Sequence, residues 1–217
     1  MVIEHFVLHY TPLEDRKAHI KNQFECHGIK DYTFVEEYNR EKLTEEQLSK
    51  FKIITPSEIS LFYKHIDVFR RQNTKGFSGI TCVYEDDAVL CDNFLECLDK
   101  CIKQLPQEWD MVFGGECANL HEYYRNSEQL VYENNSSRGA CFYMINSRFL
   151  NRFVEYFDKT EVIDCPIDWW FNFIFKCDYD NKSKIFWTEP TLVKQGSELG
   201  WFKKSINITD SRLFNKV

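Results

Sequence analysis

The sequence predicts an α/β protein with a mostly parallel sheet flanked by helices, in a single domain over residues 1–217. Three observations indicate this fold class. The chain opens with a strand, a helix and a second strand, which is typical of a parallel sheet. A short apolar run, Ile80 to Tyr84, reads as a buried strand. Three consecutive carboxylates, Glu85, Asp86 and Asp87, follow it, at the carboxyl end of a strand, where open α/β sheets bind ligands.

The opening elements follow from hydrophobic spacing. His5 to Tyr10 predicts the first strand, and Asp15 to Phe24 predicts a helix that stops at Gly28. Tyr32 to Val35 predicts the second strand. The charged segment Glu41 to Lys50 predicts a solvated helix or an excursion from the fold.

A second helix has a well-defined start. Thr55 can cap it, Pro56 suits the first helical position, and Glu58 completes a capping box three residues after the cap. One face of this helix is apolar, formed by Ile59, Phe62, Ile66 and Phe69. Glu58 therefore has a structural role available, and His65 has one too, since it lies beside this apolar face.

The second half continues the alternation. The predicted elements are a helix over Asn93–Lys103, strands over Asp110–Phe113 and Gly139–Ile145, helices over Ser147–Phe157 and from Pro166 to about Phe175, and a strand over Lys184–Trp187. Residues 116–138 lack a clean period, and a loop this long suggests a segment that covers a site. We make no structural prediction for the tail, residues 200–217.

The composition and charge of the chain exclude some classes of binding partner. The net charge of −7, from 27 basic and 34 acidic side chains without a basic block, argues against nucleic acid or an anionic membrane as the main partner. No apolar run approaches the length of a transmembrane helix, and the first residues do not resemble a signal peptide. The nine cysteines form no CxxC pair, so we expect reduced, buried thiols in a cytoplasmic protein.

The acidic triplet suggests a metal site. Three adjacent carboxylates repel one another, and each is costly to bury without a partner. A hard divalent cation such as Mn²⁺ or Mg²⁺ prefers carboxylate oxygens and keeps positions open for water and phosphate. The alternative is a solvated acidic turn after a strand, and the triplet by itself does not decide between the two.

An ordered set of motifs resembles glycosyltransferase family 25, the family of lipopolysaccharide and collagen-modifying galactosyltransferases. The resemblance covers about residues 5 to 196. The matching segments are Phe6–Leu8 with Asp15–Ile20, Ser57–His65, Val83–Leu90 with its Glu-Asp-Asp signature, Gly139–Ile145, Pro166–Asp168, and Glu189–Pro190 through Gln195.

The resemblance implies a GT-A fold and Mn²⁺-dependent, inverting transfer of a hexose, galactose or glucose, from a UDP-sugar to a glycan or protein hydroxyl. It implies that Asp87 and Glu85 ligate the metal, and that Gln195 completes the metal or diphosphate site. Asp86 or Glu85 could reach the ribose. The cation would stabilise the negative charge that builds up on the departing diphosphate.

The resemblance also suggests a base and donor contacts. Inverting transfer needs a base that removes the proton of the acceptor hydroxyl, and Asp168 is the candidate. The alternative for Asp168 is a first-turn acid favoured by the helix dipole. Glu58 and His65 could line the donor pocket as well as cap and pack their helix, and Arg16 could pair with phosphate.

The chain departs from the family pattern at three points. His9-Tyr10 stands where a small polar residue and Leu are usual, so the family's nucleobase contacts do not carry over directly, and Tyr10 is a candidate for binding the donor. Lys64 replaces the Ser before the family's His, and Ala140 replaces the Thr of the Gly-Thr strand. These changes leave the metal motif intact.

Three functions other than glycosyl transfer are compatible with parts of the sequence. A catalytically inactive relative would bind a nucleotide or glycan as a recognition module. A phosphoesterase or nuclease would use the acidic triplet, but such sites usually draw further Asp and His ligands from other strands. A glycosidase would need two carboxylates facing one bond, which Glu85 and Asp168 could imitate.

Overall fold

The computed structural model describes residues 2–116, 120–121, 128–177 and 183–202. Its elements, in chain order, are β1 (Ile3–Leu8), α1 (Glu14–Cys26), β2 (Tyr32–Val35), a 3₁₀ turn (Arg40–Lys42), α2 (Glu45–Ser49), α3 (Pro56–Thr74), β3 (Ile80–Glu85), β4 (Ala88–Leu90), α4 (Phe94–Gln104), β5 (Met111–Phe113), β6 (Val131–Glu133), β7 (Phe142–Asn146), α5 (Ser147–Lys159), α6 (Ile167–Cys177), β8 (Ile185–Thr188) and β9 (Val193–Gln195).

The described strands form a seven-stranded sheet in the order β2-β1-β3-β7-β5-β8-β6 and a two-stranded ribbon of β4 and β9. Strands β1, β2, β3, β5 and β8 point the same way, because β1 is parallel to both β2 and β3, β5 is parallel to β8, and β7 runs antiparallel between β3 and β5. Strand β6 also runs against the majority direction. The predicted α/β class with a mostly parallel sheet is confirmed.

Strand register brings the candidate residues to one edge. Leu8 at the end of β1 pairs with Glu85 at the end of β3, so the residues that follow both strands leave the sheet together. The β4–β9 ribbon then pairs Ala88 with Gln195, which places Gln195 beside the acidic triplet. The carboxyl edge of the sheet therefore collects side chains that are far apart in sequence.

Apolar side chains cover both faces of the sheet. One buried cluster joins α3, α5 and α6 through residues such as Phe62, Phe153 and Phe171. The other packs α1 and α4 through residues such as Phe24 and Phe94. Strand β3 contributes side chains to both clusters, since Val83 lies in the first and Tyr84 in the second. Alternation along a strand buried on both faces gives this arrangement.

Most predicted elements appear within a few residues of their predicted bounds. The capping box at Thr55 and Glu58 is present, with Pro56 at the start of α3. The charged segment after residue 41 contains the end of the 3₁₀ turn and the short helix α2. The sequence analysis missed β4, β6 and β9, each three residues long.

Part of the predicted long loop is therefore a strand, β6, which pairs with β8. Residues 117–119 and 122–127 of that loop, and residues 203–217 of the tail, lie outside the described part of the chain. Among the residues described, no helix is long and apolar enough to cross a membrane. Every cysteine side chain described is free, which agrees with the expected reduced thiols.

Candidate active site

A cavity of about 280 Å³ opens at the carboxyl edge of the sheet. Its walls come from the ends of β1 and β3, the first turn of α1, the 3₁₀ turn, α3, and the residues at and after the end of β9. Its acidic lining consists of Glu85, Asp86 and Asp87 beside Gln195. Its apolar lining consists of Leu8, Leu13, Leu61 and Tyr10, of which Leu8 pairs with Glu85 and Tyr10 donates its backbone N–H to Asp86.

Asp86 is held by protein groups on both carboxylate oxygens. The Nη1 of Arg16 donates to Oδ1 at 3.0 Å, and the backbone N–H of Tyr10 donates to Oδ2 at 3.3 Å. The ring Nδ1 of His9 lies 2.9 Å from Oδ2. These partners are themselves largely buried, so Asp86 acts as an organising residue that joins β1, α1 and β3. Asp86 also lines the cavity, and its contact with the ribose stays a prediction.

Asp87 is buried, and only one of its two carboxylate oxygens has partners among the described residues. Its Oδ2 accepts the backbone N–H of Ser197 at 3.2 Å and lies 3.4 Å from the Nη1 of Arg16. Its Oδ1 is buried and has no hydrogen-bond partner among the described residues. A carboxylate oxygen left in this state is costly, and a bound group facing it would remove that cost. The geometry makes Asp87 the acid of the triplet that is most in need of a ligand.

Glu85 is strongly affected by its surroundings. Burial, together with the nearby negative charges of Asp87 and Asp86, raises the pKa of Glu85 from 4.5 to about 8. The side-chain amide of Gln195 donates to Glu85 Oε2 at 3.2 Å. A substantial fraction of Glu85 is therefore protonated at neutral pH, until a nearby cation favours the charged form.

These residues fit a divalent cation that is only partly enclosed by protein. Within the described residues, no group of three His, Cys, Asp or Glu side chains is arranged to hold a metal ion. Asp87 offers a partnerless oxygen and Glu85 a second carboxylate, while the Gln195 amide oxygen could add a weaker ligand. Mg²⁺-type sites often use one or two carboxylates and take the remaining ligands from water and substrate phosphate.

Arg40 and Tyr10 form a cationic and aromatic part of the cavity wall. The guanidinium of Arg40 lies 4.6 Å from the ring centroid of Tyr10 and donates from Nη1 to the Ser57 hydroxyl at 2.9 Å. Tyr10 also donates its hydroxyl proton to Glu41. Lys64 lies in the same wall. Tyr10 lines the cavity, and its contact with the donor stays a prediction.

Glu58 and His65 are placed in structural roles. Glu58 accepts the backbone N–H of Thr55 at 2.7 Å and so completes the helix cap. His65 is fully buried, with Nδ1 2.6 Å from the hydroxyl of Tyr143, and burial lowers the pKa of His65 to about 3. Neither side chain lines the cavity. The structure therefore corrects the expectation that they contact the donor.

Asp168 lies in the first turn of α6 and does not line the cavity. Burial raises the pKa of Asp168, while the N–H groups of Trp169 and of Asp168 itself lower it less, and the negative charge of Glu58 adds to the rise. The interaction with Glu58 places Asp168 near the N-terminal end of α3, which borders the cavity at Ser57. Asp168 thus stands next to the cavity rather than in its wall.

Three contributors were not found by sequence reasoning. His9 was noticed only as a departure from a motif, yet it holds Asp86. Arg40 is not singled out by the sequence analysis, and Lys64 enters it only as a substitution, yet both line the cavity. Their roles depend on which elements meet at the edge of the sheet. The residues next to them in sequence do not show which elements those are.

The comparisons with known proteins identify a family. The profile of glycosyltransferase family 25, described as an LPS biosynthesis protein family, matches residues 3–170. None of the curated proteins matches the chain significantly. Among solved structures, A197 from STIV is 18% identical with a TM-score of 0.41, over 86% of this chain and 81% of that one. A glycosyltransferase involved in glycosylation of the major capsid of PBCV-1 is 10% identical with a TM-score of 0.39, over 73% and 66%.

Proposed function

The chain belongs to glycosyltransferase family 25 and is a glycosyltransferase, and from this premise we propose that it transfers a hexose from a UDP-sugar to a hydroxyl acceptor with the help of Mn²⁺. Galactose or glucose is the proposed sugar, and a glycan or a protein hydroxyl is the proposed acceptor. Mg²⁺ is the second candidate for the ion. The proposed transfer proceeds with inversion at the sugar carbon.

One observation carries the metal part of the proposal. The buried Asp87 Oδ1 has no partner among the described residues, and Glu85, next to it, has a pKa raised to about 8. Asp87, Glu85 and the amide oxygen of Gln195 are the groups that would hold the ion. When bound, the ion would supply Lewis-acid stabilisation of negative charge on the departing nucleotide diphosphate.

The remaining residues of the cavity would bind and orient the donor. Arg16 pairs with Asp86 and Asp87 and lines the cavity, so its guanidinium would face the diphosphate of the donor. Its Nη1 is already shared by Asp86 and Asp87, so we assign it to fixing these carboxylates, with a secondary attraction for phosphate. The apolar lining with Leu8, Tyr10 and Leu61 suits the nucleoside.

Asp168 remains the proposed base. Burial raises its pKa, which makes the ionised carboxylate a stronger base at neutral pH than an exposed aspartate. Because Asp168 stands outside the cavity wall, the acceptor would have to place its hydroxyl between Asp168 and the donor sugar. The N–H groups of the first turn of α6 would hold the carboxylate in a fixed orientation.

The proposal is tested by incubating the purified protein with a panel of UDP-sugars, with and without Mn²⁺, and measuring released UDP. We expect Mn²⁺-dependent release with at least one UDP-hexose, and loss of it in Asp87→Asn. Asp99→Asn is the control, because Asp99 is an exposed acid on α4 that pairs with Lys103. Equal release without Mn²⁺, or full release by Asp87→Asn, would contradict the metal assignment; no UDP binding at all would contradict the donor.

A further inference from the structure

Lys64 is a buried ammonium in the wall of the donor cavity. Only 2% of the residue is exposed, although lysine rarely stays buried without compensation. Its Nζ lies 3.4 Å from the carbonyl oxygen of Val35 and 3.4 Å from the side-chain oxygen of Asn39, and it also donates to the carbonyl of Glu37. An ammonium has three hydrogens, so these three acceptors can use all of them.

All three acceptors belong to the segment that leaves β2, residues 35–39. This segment turns sharply, since Tyr38 has a φ of +60°, which is unfavourable for a residue with a side chain. Asn39 donates to the hydroxyl of Thr11 at 2.6 Å, which ties the segment to the end of β1 as well. Lys64 therefore joins the middle of α3 to a strained turn.

The next residue of the chain is Arg40, which forms the cavity wall with Tyr10. Arg40 begins the 3₁₀ turn, stacks on the Tyr10 ring and bonds to Ser57. Its position depends on where the preceding turn is held. Lys64 holds residues 35–39 by hydrogen bonds, and Arg40 follows directly in the chain, so these bonds act on the position of Arg40 through the backbone.

Burying the Lys64 ammonium has an electrostatic cost. Burial lowers the pKa of the Lys64 ammonium to about 8, and four acids partly offset the effect: Glu37 and Glu36 after β2, Asp86 after β3, and Asp67 on α3. A neutral side chain of similar length would fill the same space without the desolvation of a charge. The three oxygens that accept its hydrogen bonds are the reason for a charged side chain at this position.

We propose that Lys64 is a positioning residue for the nucleotide half of the donor: by holding the exit of β2, it fixes Arg40 and Tyr10 in the wall of the cavity. The inference rests on the proposed function, because it takes a uridine nucleotide as the occupant. Among the described residues, the hydrogen-bond partners of the Lys64 ammonium are Val35, Glu37 and Asn39, and its link to the acidic triplet is the charge of Asp86.

The test compares UDP with inorganic pyrophosphate by isothermal titration calorimetry in the presence of Mn²⁺. Pyrophosphate lacks the nucleoside, so it reports on the metal site only. We expect Lys64→Met to weaken UDP binding at least about tenfold, as the loss of hydrogen bonds from a charged group would do. Pyrophosphate binding should change by less than about twofold, which is within the usual effect of a distant substitution.

A double-mutant cycle with Arg40→Ala separates positioning from general loosening. If Lys64 acts through Arg40, Lys64→Met should have little further effect on UDP binding once Arg40 is alanine. Lys64→Gln, which keeps two donor hydrogens, should recover part of the UDP affinity. Lys50→Met is the control, since Lys50 also donates to a backbone carbonyl, that of Thr160, and does not line the cavity.

Each outcome has a distinct meaning. Full UDP affinity in Lys64→Met, an equal loss for UDP and pyrophosphate, or additive effects with Arg40→Ala would overturn the positioning role while leaving the proposed function standing. Failure of the unmodified protein to bind UDP would overturn both. If Lys64→Met does not fold, as judged by its thermal melting curve, the same comparisons are made with Lys64→Gln.

Discussion

The binding of Mn²⁺ should depend strongly on pH because of Glu85. In the metal-free protein, burial and the adjacent acids raise the pKa of Glu85 to about 8. A carboxylate must lose its proton before it ligates a metal, so below pH 8 each ion that binds Glu85 must displace a proton. The affinity for Mn²⁺ should therefore rise with pH and level off above pH 8.

The size of the effect follows from the raised pKa. Glu85 would be ionised in about 1% of molecules at pH 6 and in about half of them at pH 8. If Glu85 is a ligand, the apparent association constant for Mn²⁺ should increase roughly fifty-fold over that range, with about one proton released per ion at pH 6. An aspartate or glutamate with an ordinary pKa would give almost no change over the same range.

The assay is a Mn²⁺ titration at pH 6, 7 and 8 without donor, by electron paramagnetic resonance of the free ion. Proton release is read by calorimetry in two buffers of different ionisation enthalpy. Glu85→Gln should lose both the pH dependence and the proton release while keeping weak binding through Asp87. Binding in the unmodified protein that is flat between pH 6 and 8 would refute the assignment of Glu85 as a ligand.

Three further predictions concern residues around the cavity. Asp168→Asn should lower kcat for transfer at least about a hundredfold and leave UDP affinity unchanged, measured by UDP release and calorimetry. Gly196→Ala should weaken Mn²⁺ binding, because its added Cβ would lie 2.9 Å from the carbonyl oxygen of Asp87, measured in the same Mn²⁺ titration. His65, with its pKa lowered to about 3, stays neutral when folded and accepts a proton only on unfolding. As the pH falls below 6.5, the contribution of His65 should lower the free energy of unfolding by about 1.4 kcal/mol for each unit of pH. Urea titrations at pH 5 and 7, with His65→Asn lacking this slope, measure it.

Local sequence signals predicted the elements whose structure is decided locally. The capping box at Thr55 and Glu58 and the apolar face of α3 are set by residues within a few turns of one another, and both are present. The strand at Ile80 was recognisable because it is buried on both faces and its apolar run is unbroken. In each of these cases the neighbouring residues contain the information that fixes the element.

Other features depend on elements that meet only in the folded chain. His65 lies on the same helix as the cavity-lining Lys64, and only the packing of Tyr143 against α3 shows that His65 faces the core. The strands β4 and β9 are three residues each and are stable only as a pair. Likewise, the distinct states of the three acids cannot be predicted from the triplet, because their partners come from β1, α1 and the segment after β9.

The fold gives each acid of the triplet a different solution to the same electrostatic problem. Asp86 is paired with the cation of Arg16 and lies 2.9 Å from the ring Nδ1 of His9. Glu85 has a raised pKa that keeps it largely protonated. Asp87 has neither solution, because its buried Oδ1 lacks a hydrogen-bond partner among the described residues. Only two carboxylates are therefore left for a cation, which is too few to hold one tightly. The donor diphosphate would have to complete the coordination, so the proposed ion and the nucleotide should each raise the affinity of the other by the same factor. On this reasoning, Asp86 sets the geometry of the site, while Glu85 and Asp87 make metal binding depend on the arrival of the donor.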